Sequence, residues 1–316
     1  MRILFAAHES GWGGFFSLIR AELPEHHFEA TGGFWLDTLA GFDILIPTMC
    51  PITRDKLASA DRLRLIQQCG AGLEGVDLRA AWERNIAVAN VPTDISGNAD
   101  SVAELGIYLM IGLSRDVRGM ARSFTDGRMG MPRGQALKGK GVGLVGLGGI
   151  GRALARRLRA FDARLIGIKR SATADAKEAL GLEWIGAPDD LKELLARSDY
   201  VVLCVPATEE TKRILNRKTF PAMKKGAFLI NLGRGGLVDR EALAEALASG
   251  HIAGAGLDVF WEEPPDPHDP IFEYNVMATP HIAGSTDISV RGIVEVVAEN
   301  IRRVERRQEP LYLKAP

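Results

Sequence analysis

The chain has 316 residues, of which 46% are hydrophobic and 25% are charged, and its formal net charge at pH 7 is -1. This length favours two domains over a single core, and the nearly balanced charge argues against a polybasic surface for nucleic acid. The cysteines Cys50, Cys69 and Cys204 are odd in number and far apart, which argues against a disulfide framework or a structural zinc site and indicates a reducing compartment.

The chain begins with a strand-like apolar run, ILFAA, that is interrupted too soon for a secretory signal. No stretch is apolar over the length that a membrane-spanning helix needs. We therefore expect a cytoplasmic protein without a membrane partner.

Over roughly the first ninety residues, short apolar runs alternate with segments of helical pattern. In chain order these are ILFAA, FFSLIRAEL, FDILI, TRDKLASA, LRLIQQC, LRAAWERN and IAVANV. This βαβ rhythm predicts an α/β domain. Residues 98–120 follow and are apolar around much of the helical circumference. They predict either a helix buried between domains or subunits or an ordinary core helix.

Residues 139–158, GKGVGLVGLGGIGRALARRL, combine a strand, a glycine-rich turn and the start of a helix. Gly146, Gly148 and Gly151 occupy the positions of a GxGxxG motif. The first glycine of such a motif permits a tight turn, the second lets the backbone approach a pyrophosphate, and the third lets the helix pack against its strand. The segment therefore predicts a dinucleotide site, with Gly149 and Ile150 at the phosphate-binding start of the helix.

Five further strand candidates follow the motif: RLIGI, YVVLCVP, AFLINLG, IAGAGLDVF and NVMATP. Together with the first strand they predict a doubly wound parallel sheet of about six strands. Asp239 is expected to cap the helix DREALAEALASG, and Gly250 is expected to end it. Residues 288–307 again have helical periodicity and are expected to pack away from this sheet.

The end of the second strand of the nucleotide unit departs from the NAD pattern. An NAD site usually has Asp or Glu there, bonded to the ribose 2′-hydroxyl, whereas this chain has Lys169, Arg170 and Ser171. Two cations and a hydroxyl suit a 2′-phosphate, so NADP is favoured over NAD. The alternative is that both cations are only solvated, which leaves NAD or dual use open.

Three polar residues follow strand candidates of the same sheet: Arg234, Glu263 and His281. The carboxyl ends of parallel strands share one edge, so we expect these side chains at the ligand-binding edge. Histidine exchanges a hydroxyl proton, a carboxylate on its other nitrogen fixes its tautomer, and arginine grips a carboxylate. From position alone, Glu262 is as good a candidate as Glu263 for the partner of the histidine. The alternative for Arg234 is a solvated charge in a loop.

Six motifs occur in one order along nearly the whole chain: QCGAGLEGVDL, SVAELGIYLMIGLSR, GLGGIG, INLGRGGLVDREALAEAL, AGLDVFWEEPP and ATPHIAGST. In this order the chain resembles the D-isomer-specific 2-hydroxyacid dehydrogenases. The resemblance implies that Arg234 binds the substrate carboxylate and helps to polarise C2. It also implies that Glu263, rather than Glu262, pairs with the catalytic histidine, and that His281 is the acid/base.

The reaction that the resemblance implies is reversible hydride transfer between a nicotinamide and C2 of a small 2-oxo or D-2-hydroxy acid. Further roles are implied in the same way. Backbone N–H groups for the substrate carboxylate would come from Ala71, Gly72 and Leu73, and the substrate's side-chain pocket would be shaped by Met49 and Cys50. The nicotinamide carboxamide would be bound by Asp258. The cofactor cleft would be lined by Val205, Pro206 and Thr211.

The resemblance also implies a Rossmann-type doubly wound sheet, residues 96–286, inserted in a flavodoxin-like α/β substrate domain formed by residues 1–95 and 287–316. A homodimer is implied as well, with residues 98–120 as its candidate interface. Because the chain ends at Pro316, we expect no regulatory domain of the kind that many phosphoglycerate dehydrogenases carry. This favours a glyoxylate/hydroxypyruvate-type reductase or a reductase for a bulkier 2-oxo acid.

Three other interpretations stay open: a phosphoglycerate-dehydrogenase-like enzyme, a formate-dehydrogenase-like enzyme, and a dinucleotide-sensing corepressor or scaffold. The extended N-terminal region and the glutamine partner typical of formate dehydrogenases are not seen. No metal site is expected, because His26 and His27 are adjacent and diverge, and His268 lies in a loop rich in Asp and Pro.

Overall fold

The computed structural model describes residues 1–315. Its strands are β1 (Arg2–Phe5), β2 (His27–Ala30), β3 (Ile44–Ile46), β4 (Leu65–Gln67), β5 (Ala87–Ala89), β6 (Gly141–Val145), β7 (Arg164–Ile168), β8 (Trp184–Gly186), β9 (Tyr200–Leu203), β10 (Ala227–Asn231), β11 (Ile252–Leu257) and β12 (Val276–Ala278). Its helices are α1 (Phe15–Glu22), α2 (Arg54–Leu57), α3 (Leu78–Glu83), α4 (Asn98–Ser114), α5 (Val117–Thr125), α6 (Gly149–Leu158), α7 (Ala174–Leu180), α8 (Leu191–Arg197), α9 (Arg240–Ala248) and α10 (Asp287–Glu305).

The chain divides into two compact units. The first unit comprises residues 1–98 and the residues from Gly284 onward, and the second unit comprises residues 99–283. The first unit is therefore discontinuous in sequence, and the second unit is inserted within it. The assignment of substrate binding to the first unit stays a prediction.

The first unit contains a parallel sheet in the order β2-β1-β3-β4-β5. This is the flavodoxin-type order, so the predicted flavodoxin-like fold is confirmed. Successive side chains of β1 point to opposite faces. Ile3 and Phe5 join a core that includes residues of α1 and α10, whereas Leu4 joins a second core with residues of α2 and α3. A continuously apolar strand is thus buried on both faces, as a parallel sheet requires.

The second unit contains a parallel sheet in the order β12-β11-β10-β9-β6-β7-β8. The predicted doubly wound, Rossmann-type sheet is confirmed, but the prediction of about six strands is wrong, because the sheet has seven. The additional strand is β8, which has three residues at the sheet edge, two of them partly exposed. Its apolar residues, Trp184 and Ile185, are too few to predict a strand by themselves.

Two further elements differ from the sequence pattern. β2 is not among the predicted strands, because it too is an edge strand and has only one buried residue. The single predicted helix over residues 98–120 is two helices, α4 and α5. Asp116 separates them: its φ is +49° and its carboxylate accepts a 2.9 Å hydrogen bond from the N–H of Gly119, so it begins α5 as an N-cap.

Other local predictions agree with the structure. The Asp239 carboxylate accepts a hydrogen bond from the N–H of Ala242 at 3.0 Å and caps α9, and Gly250 follows that helix with φ +66°. The buried face of α10 belongs to the core of the first unit. Within the described residues no helix combines the length and apolarity needed to cross a membrane. The three cysteines are free thiols.

Candidate functional site

The glycine-rich turn lies at the carboxyl end of β6, an interior strand of the second-unit sheet between β9 and β7. Gly146 has φ +98°, a conformation that favours glycine, and a Cβ there would press on the side chain of Val205. A Cβ on Gly151 would collide with the carbonyl oxygen of Gly146, so the third glycine allows α6 to approach its strand. Both glycines are therefore explained by the packing of the protein itself.

Gly148 is different, because nothing in the protein demands a glycine there. Its φ is -75°, it is exposed, and a Cβ would have no atom within 4 Å. It is the N-cap of α6 and provides no side chain to bond the first N–H groups of that helix. An open cradle at an uncapped helix start fits a phosphate of a dinucleotide, and Gly149 and Ile150 form the first turn beside it.

The end of β7 carries the residues predicted to select the cofactor. Lys169 is partly buried, and Arg170 and Ser171 are exposed. The backbone N–H of Lys169 donates to the carbonyl of Gly186, which holds the start of this turn against β8. The hydroxyl of Thr208, the N–H of Glu210 itself and the charge of Arg170 lower the pKa of Glu210. Arg170 therefore lies within electrostatic reach of a carboxylate from the loop after β9.

The loop after β9 holds Val205, Pro206 and Thr211, which were predicted to line the cofactor cleft. The Thr211 hydroxyl donates to the carbonyl of Pro206 at 2.7 Å and accepts a 2.8 Å hydrogen bond from the N–H of Thr208. These bonds fix the loop at the same sheet edge as the glycine turn. Cys204, just before it, has its pKa raised to about 12 by burial, so it is a thiol rather than a thiolate nucleophile at neutral pH.

Glu263 and His281 form a direct pair. His281 Nδ1 lies 2.6 Å from Glu263 Oε2, and the other carboxylate oxygen accepts a 2.9 Å hydrogen bond from the N–H of Phe260. His281 has φ +52°, in the left-handed region that residues other than glycine seldom adopt. Because Glu263 contacts Nδ1, Nε2 is the nitrogen of His281 that would exchange a proton with a substrate.

Electrostatics in this pair favour a charged carboxylate. Burial acts to raise the pKa of Glu263, but the hydrogen bond and charge of His281, the N–H of Phe260 and the charge of Arg234 together hold that pKa below its usual value. Arg234 therefore lies close enough to Glu263 to act on it. The three residues predicted for catalysis are brought together at one edge of the second-unit sheet, after β10, β11 and β12.

Asp258, predicted to read the cofactor carboxamide, organises the loop that carries His281. Its carboxylate is buried and accepts hydrogen bonds from the Thr279 hydroxyl at 2.7 Å and from the N–H groups of Ile282 and Ala283 at 2.9 Å and 3.1 Å. Burial raises the pKa of Asp258 despite these bonds. Its contact with the cofactor stays a prediction.

The five residues predicted to bind the substrate lie in the first unit, in loops at the carboxyl ends of β3 and β4. Met49 is exposed, Cys50 is buried, Gly72 and Leu73 are partly buried and Ala71 is exposed. Burial raises the pKa of the Cys50 thiol. Their contact with a substrate stays a prediction.

Sequence reasoning missed the residues that hold these loops in place. Gln68 donates from its side-chain amide to the carbonyl of Thr48 at 2.8 Å, which joins the two first-unit loops. Asn231 is buried at the end of β10, donates to the carbonyl of Arg234 at 2.8 Å and accepts from the N–H of Gly233 at 3.1 Å. The available signal was a polar side chain ending an otherwise apolar strand, in LIQQ and FLIN.

Comparisons with known proteins give a consistent result. Residues 107–283 match the family model of the D-isomer specific 2-hydroxyacid dehydrogenase, NAD binding domain. The chain is 36% identical over 274 residues to a D-3-phosphoglycerate dehydrogenase of Methanocaldococcus jannaschii, covering 86% of this chain and 51% of that protein. It thus spans about half the length of such phosphoglycerate dehydrogenases.

A glyoxylate reductase of Thermococcus litoralis is 35% identical over 279 residues, covering 85% of this chain and 82% of that protein. Among solved structures, the TT0316 protein of Thermus thermophilus has a TM-score of 0.85 at 34% identity and covers 99% of both chains. The family model matches more than half of this chain. The chain therefore belongs to the D-isomer-specific 2-hydroxyacid dehydrogenase family.

Proposed function

We propose that this protein is an NAD(P)-dependent oxidoreductase that interconverts a small 2-oxo acid and its D-2-hydroxy acid. The observation that carries the proposal is the 2.6 Å contact of Glu263 with His281, with Arg234 in electrostatic reach, on the sheet edge that also bears the glycine turn. A buried carboxylate that orients a histidine beside an arginine suits proton exchange on an oxygen next to a carboxylate. A scaffold that only senses a dinucleotide would not need these three residues together.

Each residue has a defined task in this proposal. His281 gives a proton to the carbonyl oxygen during reduction and takes it back during oxidation, and Glu263 holds the ring and balances its positive charge. Arg234 grips the substrate carboxylate and polarises the neighbouring carbonyl group. A bound nicotinamide dinucleotide supplies or accepts the hydride. Positioning and electrostatic stabilisation would then provide most of the rate enhancement.

We propose NADPH as the preferred cofactor. Lys169, Arg170 and Ser171 provide positive charge and a hydroxyl where a carboxylate would repel a 2′-phosphate. Steady-state titration with NADPH and NADH tests this, and the variant Arg170→Ala should raise KM for NADPH while leaving KM for NADH nearly unchanged. An equal or better kcat/KM with NADH in the unmodified protein contradicts the preference.

We propose a substrate of the glyoxylate/hydroxypyruvate type. The similarity to a glyoxylate reductase that the chain covers over 82% of its length supports this choice. Purified protein is assayed by loss of NADPH absorbance with glyoxylate, hydroxypyruvate, pyruvate, 3-phosphohydroxypyruvate and bulkier 2-oxo acids. Reduction of glyoxylate or hydroxypyruvate at the highest kcat/KM is expected. If none of the acids is reduced, the result favours a dinucleotide-sensing scaffold over an enzyme.

Variants test the proposed roles. His281→Ala and Arg234→Ala should reduce kcat/KM by about 10²-fold or more, since both act on the reacting group. NADPH binding, followed by fluorescence, should survive in both. His268→Ala is a matched control, because His268 lies exposed in the loop after β11. Near-normal turnover in either active-site variant contradicts the role assigned to that residue.

We also propose a homodimer in the cytoplasm. In α5 and the segment after it, Phe124, Met129 and Met131 are exposed to 90%, 93% and 57%. Large exposed apolar side chains often mark interaction surfaces; these three lie just after residues 98–120, the interface expected from the sequence, and the family resemblance makes a second copy of the chain the expected partner. Light scattering should give the mass of a dimer for the unmodified protein and of a monomer for a Phe124→Asp, Met129→Asp variant.

A further inference from the structure

His26 is a buried histidine with one unsatisfied ring nitrogen. It lies in the first unit between α1 and β2, and its side chain is 1% exposed. Nδ1 lies 3.3 Å from the amino nitrogen of Met1, which holds the ring at that side. Nε2 is buried and has no hydrogen-bond partner among the described residues. Buried polar atoms are nearly always bonded, so this nitrogen requires an explanation.

Two carboxylates face the unsatisfied nitrogen. Nε2 lies 3.8 Å from Glu25 Oε1 and 3.9 Å from Glu305 Oε2, which is too long for a hydrogen bond. The three ligand atoms all lie within 4.8 Å of one another. Glu25 precedes His26 in the chain, whereas Glu305 is the last residue of α10. The sequence predicted no metal site at His26, because Glu305 comes from the opposite end of the chain and sequence spacing does not bring the two together.

We propose that Glu25, His26 and Glu305 bind a divalent transition-metal ion, with Zn²⁺ as the preferred metal. Zinc bonds of about 2.0–2.2 Å to nitrogen and oxygen place tetrahedral ligand atoms about 3.3–3.5 Å apart. Nε2 and either carboxylate oxygen therefore need to approach by roughly half an ångström to reach that spacing. An imidazole with two carboxylates suits zinc better than Mg²⁺, which prefers oxygen ligands in an octahedron.

The surroundings allow this closure. The side chains of Glu25 and Glu305 are 54% and 49% exposed, so they move freely, while the buried imidazole stays fixed. Next to the cluster, Arg302 of α10 bonds the carboxylate and the carbonyl of Glu22 at 2.7 Å and 3.2 Å and holds α10 against the end of α1. The two carboxylates balance the charge of a divalent ion, and solvent supplies the fourth ligand.

A metal here would join the segment after α1 to the end of α10, two parts of the first unit that are distant in sequence. None of its ligands belongs to the glycine turn or to the Arg234, Glu263 and His281 set. The site is therefore structural, and its occupancy should raise the stability of the folded chain.

Zinc binding to the full chain tests the proposal. Protein without an affinity tag, stripped by a chelator and dialysed, is titrated with ZnCl₂ by calorimetry, and bound zinc is counted by mass spectrometry. We expect one tightly bound zinc per chain. Glu305→Gln and His26→Gln should weaken this binding by about tenfold or more. The matched control is His27→Gln, because His27 is the adjacent histidine, is exposed and faces Glu29 at 3.2 Å.

Thermal unfolding provides a second readout. Zn²⁺ should raise Tm of the unmodified protein and of His27→Gln but not of Glu305→Gln, which alters an exposed side chain and should fold even if His26→Gln does not. Absence of bound zinc in the unmodified protein overturns the proposal. Binding or thermal stabilisation that persists unchanged in Glu305→Gln overturns it as well, because the zinc then lies elsewhere.

Discussion

At the scale of single residues, Glu263 and its neighbour Glu262 show that one position along a loop decides whether a carboxylate contacts His281. Glu263 is partly buried and bonds His281, whereas Glu262 is exposed. Replacement by Gln keeps the size of the side chain and removes the charge that supports a protonated ring. We expect Glu263→Gln to lower kcat by about 10²-fold or more, with NADPH affinity preserved.

Glu262→Gln is the matched control for this prediction, since it makes the same chemical change one residue away. Its kcat should stay within about twofold of the unmodified protein, because exposed side chains without partners contribute little. Both variants are measured by steady-state kinetics with the best 2-oxo acid of the panel. Equal effects of the two substitutions would show that the contact with His281 is not what matters.

Asp43 offers a prediction about stability and pH. Burial acts to raise the pKa of Asp43, but the N–H of Arg2 and the guanidinium of Arg62, both within 2.8 Å, lower it overall. A carboxylate with a lowered folded-state pKa stabilises the fold above its unfolded pKa of about 3.9, and this stabilisation is lost as pH falls through the folded-state pKa. Asp43 thus contributes fully at neutral pH.

We therefore expect Asp43→Asn to lower the free energy of unfolding by about 1–3 kcal/mol at pH 7, with a smaller difference below about pH 4. Urea unfolding of both proteins across this pH range measures the effect. Asp55→Asn is the control, because Asp55 is exposed on α2. A difference that is independent of pH would mean that the charge of Asp43 is not the cause.

The same residues show which parts of the site could be predicted from the sequence. The positions after strands identified Arg234, a glutamate and His281 as neighbours at one sheet edge, because parallel strands share that edge. Position alone left Glu262 and Glu263 equal, since the direction of a loop side chain depends on contacts such as that of the Phe260 N–H. No metal site was predicted at His26, because Glu305 lies near it only in the folded chain and sequence spacing does not reveal that contact.

At the scale of elements, the glycine-rich turn contains glycines of two kinds: Gly148, which we propose leaves room for a phosphate, and Gly151, which the packing of α6 requires. Gly148→Ala places a methyl group in open space but is a poorer N-cap, so we expect a stability loss of at most about 1 kcal/mol and an NADPH affinity lowered by about tenfold or more. Gly151→Ala drives a methyl group into the carbonyl of Gly146, so it should lower stability by about 1–3 kcal/mol and weaken binding as well.

Urea midpoints and NADPH fluorescence titrations of the two variants make this comparison. The informative result is the contrast, in which Gly148→Ala lowers binding far more than stability. If Gly148→Ala also shifts the urea midpoint substantially, the glycine is required by the fold and its open surroundings are not evidence for a phosphate site.

Burial explains which elements the sequence revealed. Central strands such as β6 and β10 are buried throughout and appear as apolar runs. Edge strands β2 and β8 are partly exposed, and their apolar residues are too few to predict a strand. The break between α4 and α5 was hidden for another reason: the apolar pattern continues through Asp116, and only its side-chain bond and its left-handed backbone show that a new helix begins there.

At the scale of the whole molecule, the chain leaves the first unit after Asn98 and returns to it at Gly284. The inserted second unit is continuous and has apolar cores on both faces of its own sheet. We expect a fragment of residues 99–283 to fold cooperatively and to bind NADPH without reducing a 2-oxo acid. Circular dichroism, urea unfolding and fluorescence titration check this.

The control fragment begins at residue 107, where the match to the family model begins. It lacks Ala99, Val102 and Ala103, which belong to the core around α4. Loss of this apolar burial should make the shorter fragment clearly less stable. Equal stability of the two fragments would mean that the first turns of α4 do not contribute to the second unit.

The first unit makes the complementary prediction. Its two segments meet, because a Cβ on Gly284 would lie 2.5 Å from Nδ2 of Asn98, so a short Gly-Ser linker spans the two ends. A chain of residues 1–98 linked to the residues from Gly284 onward should fold with a cooperative urea transition. Residues 1–98 alone should not, because Ile293, Val297 and Ile301 of α10 complete the core against β1 and β3. A linked chain that stays unfolded would show that the first unit depends on the inserted unit for its structure, whereas a folded 1–98 fragment would show that α10 is dispensable.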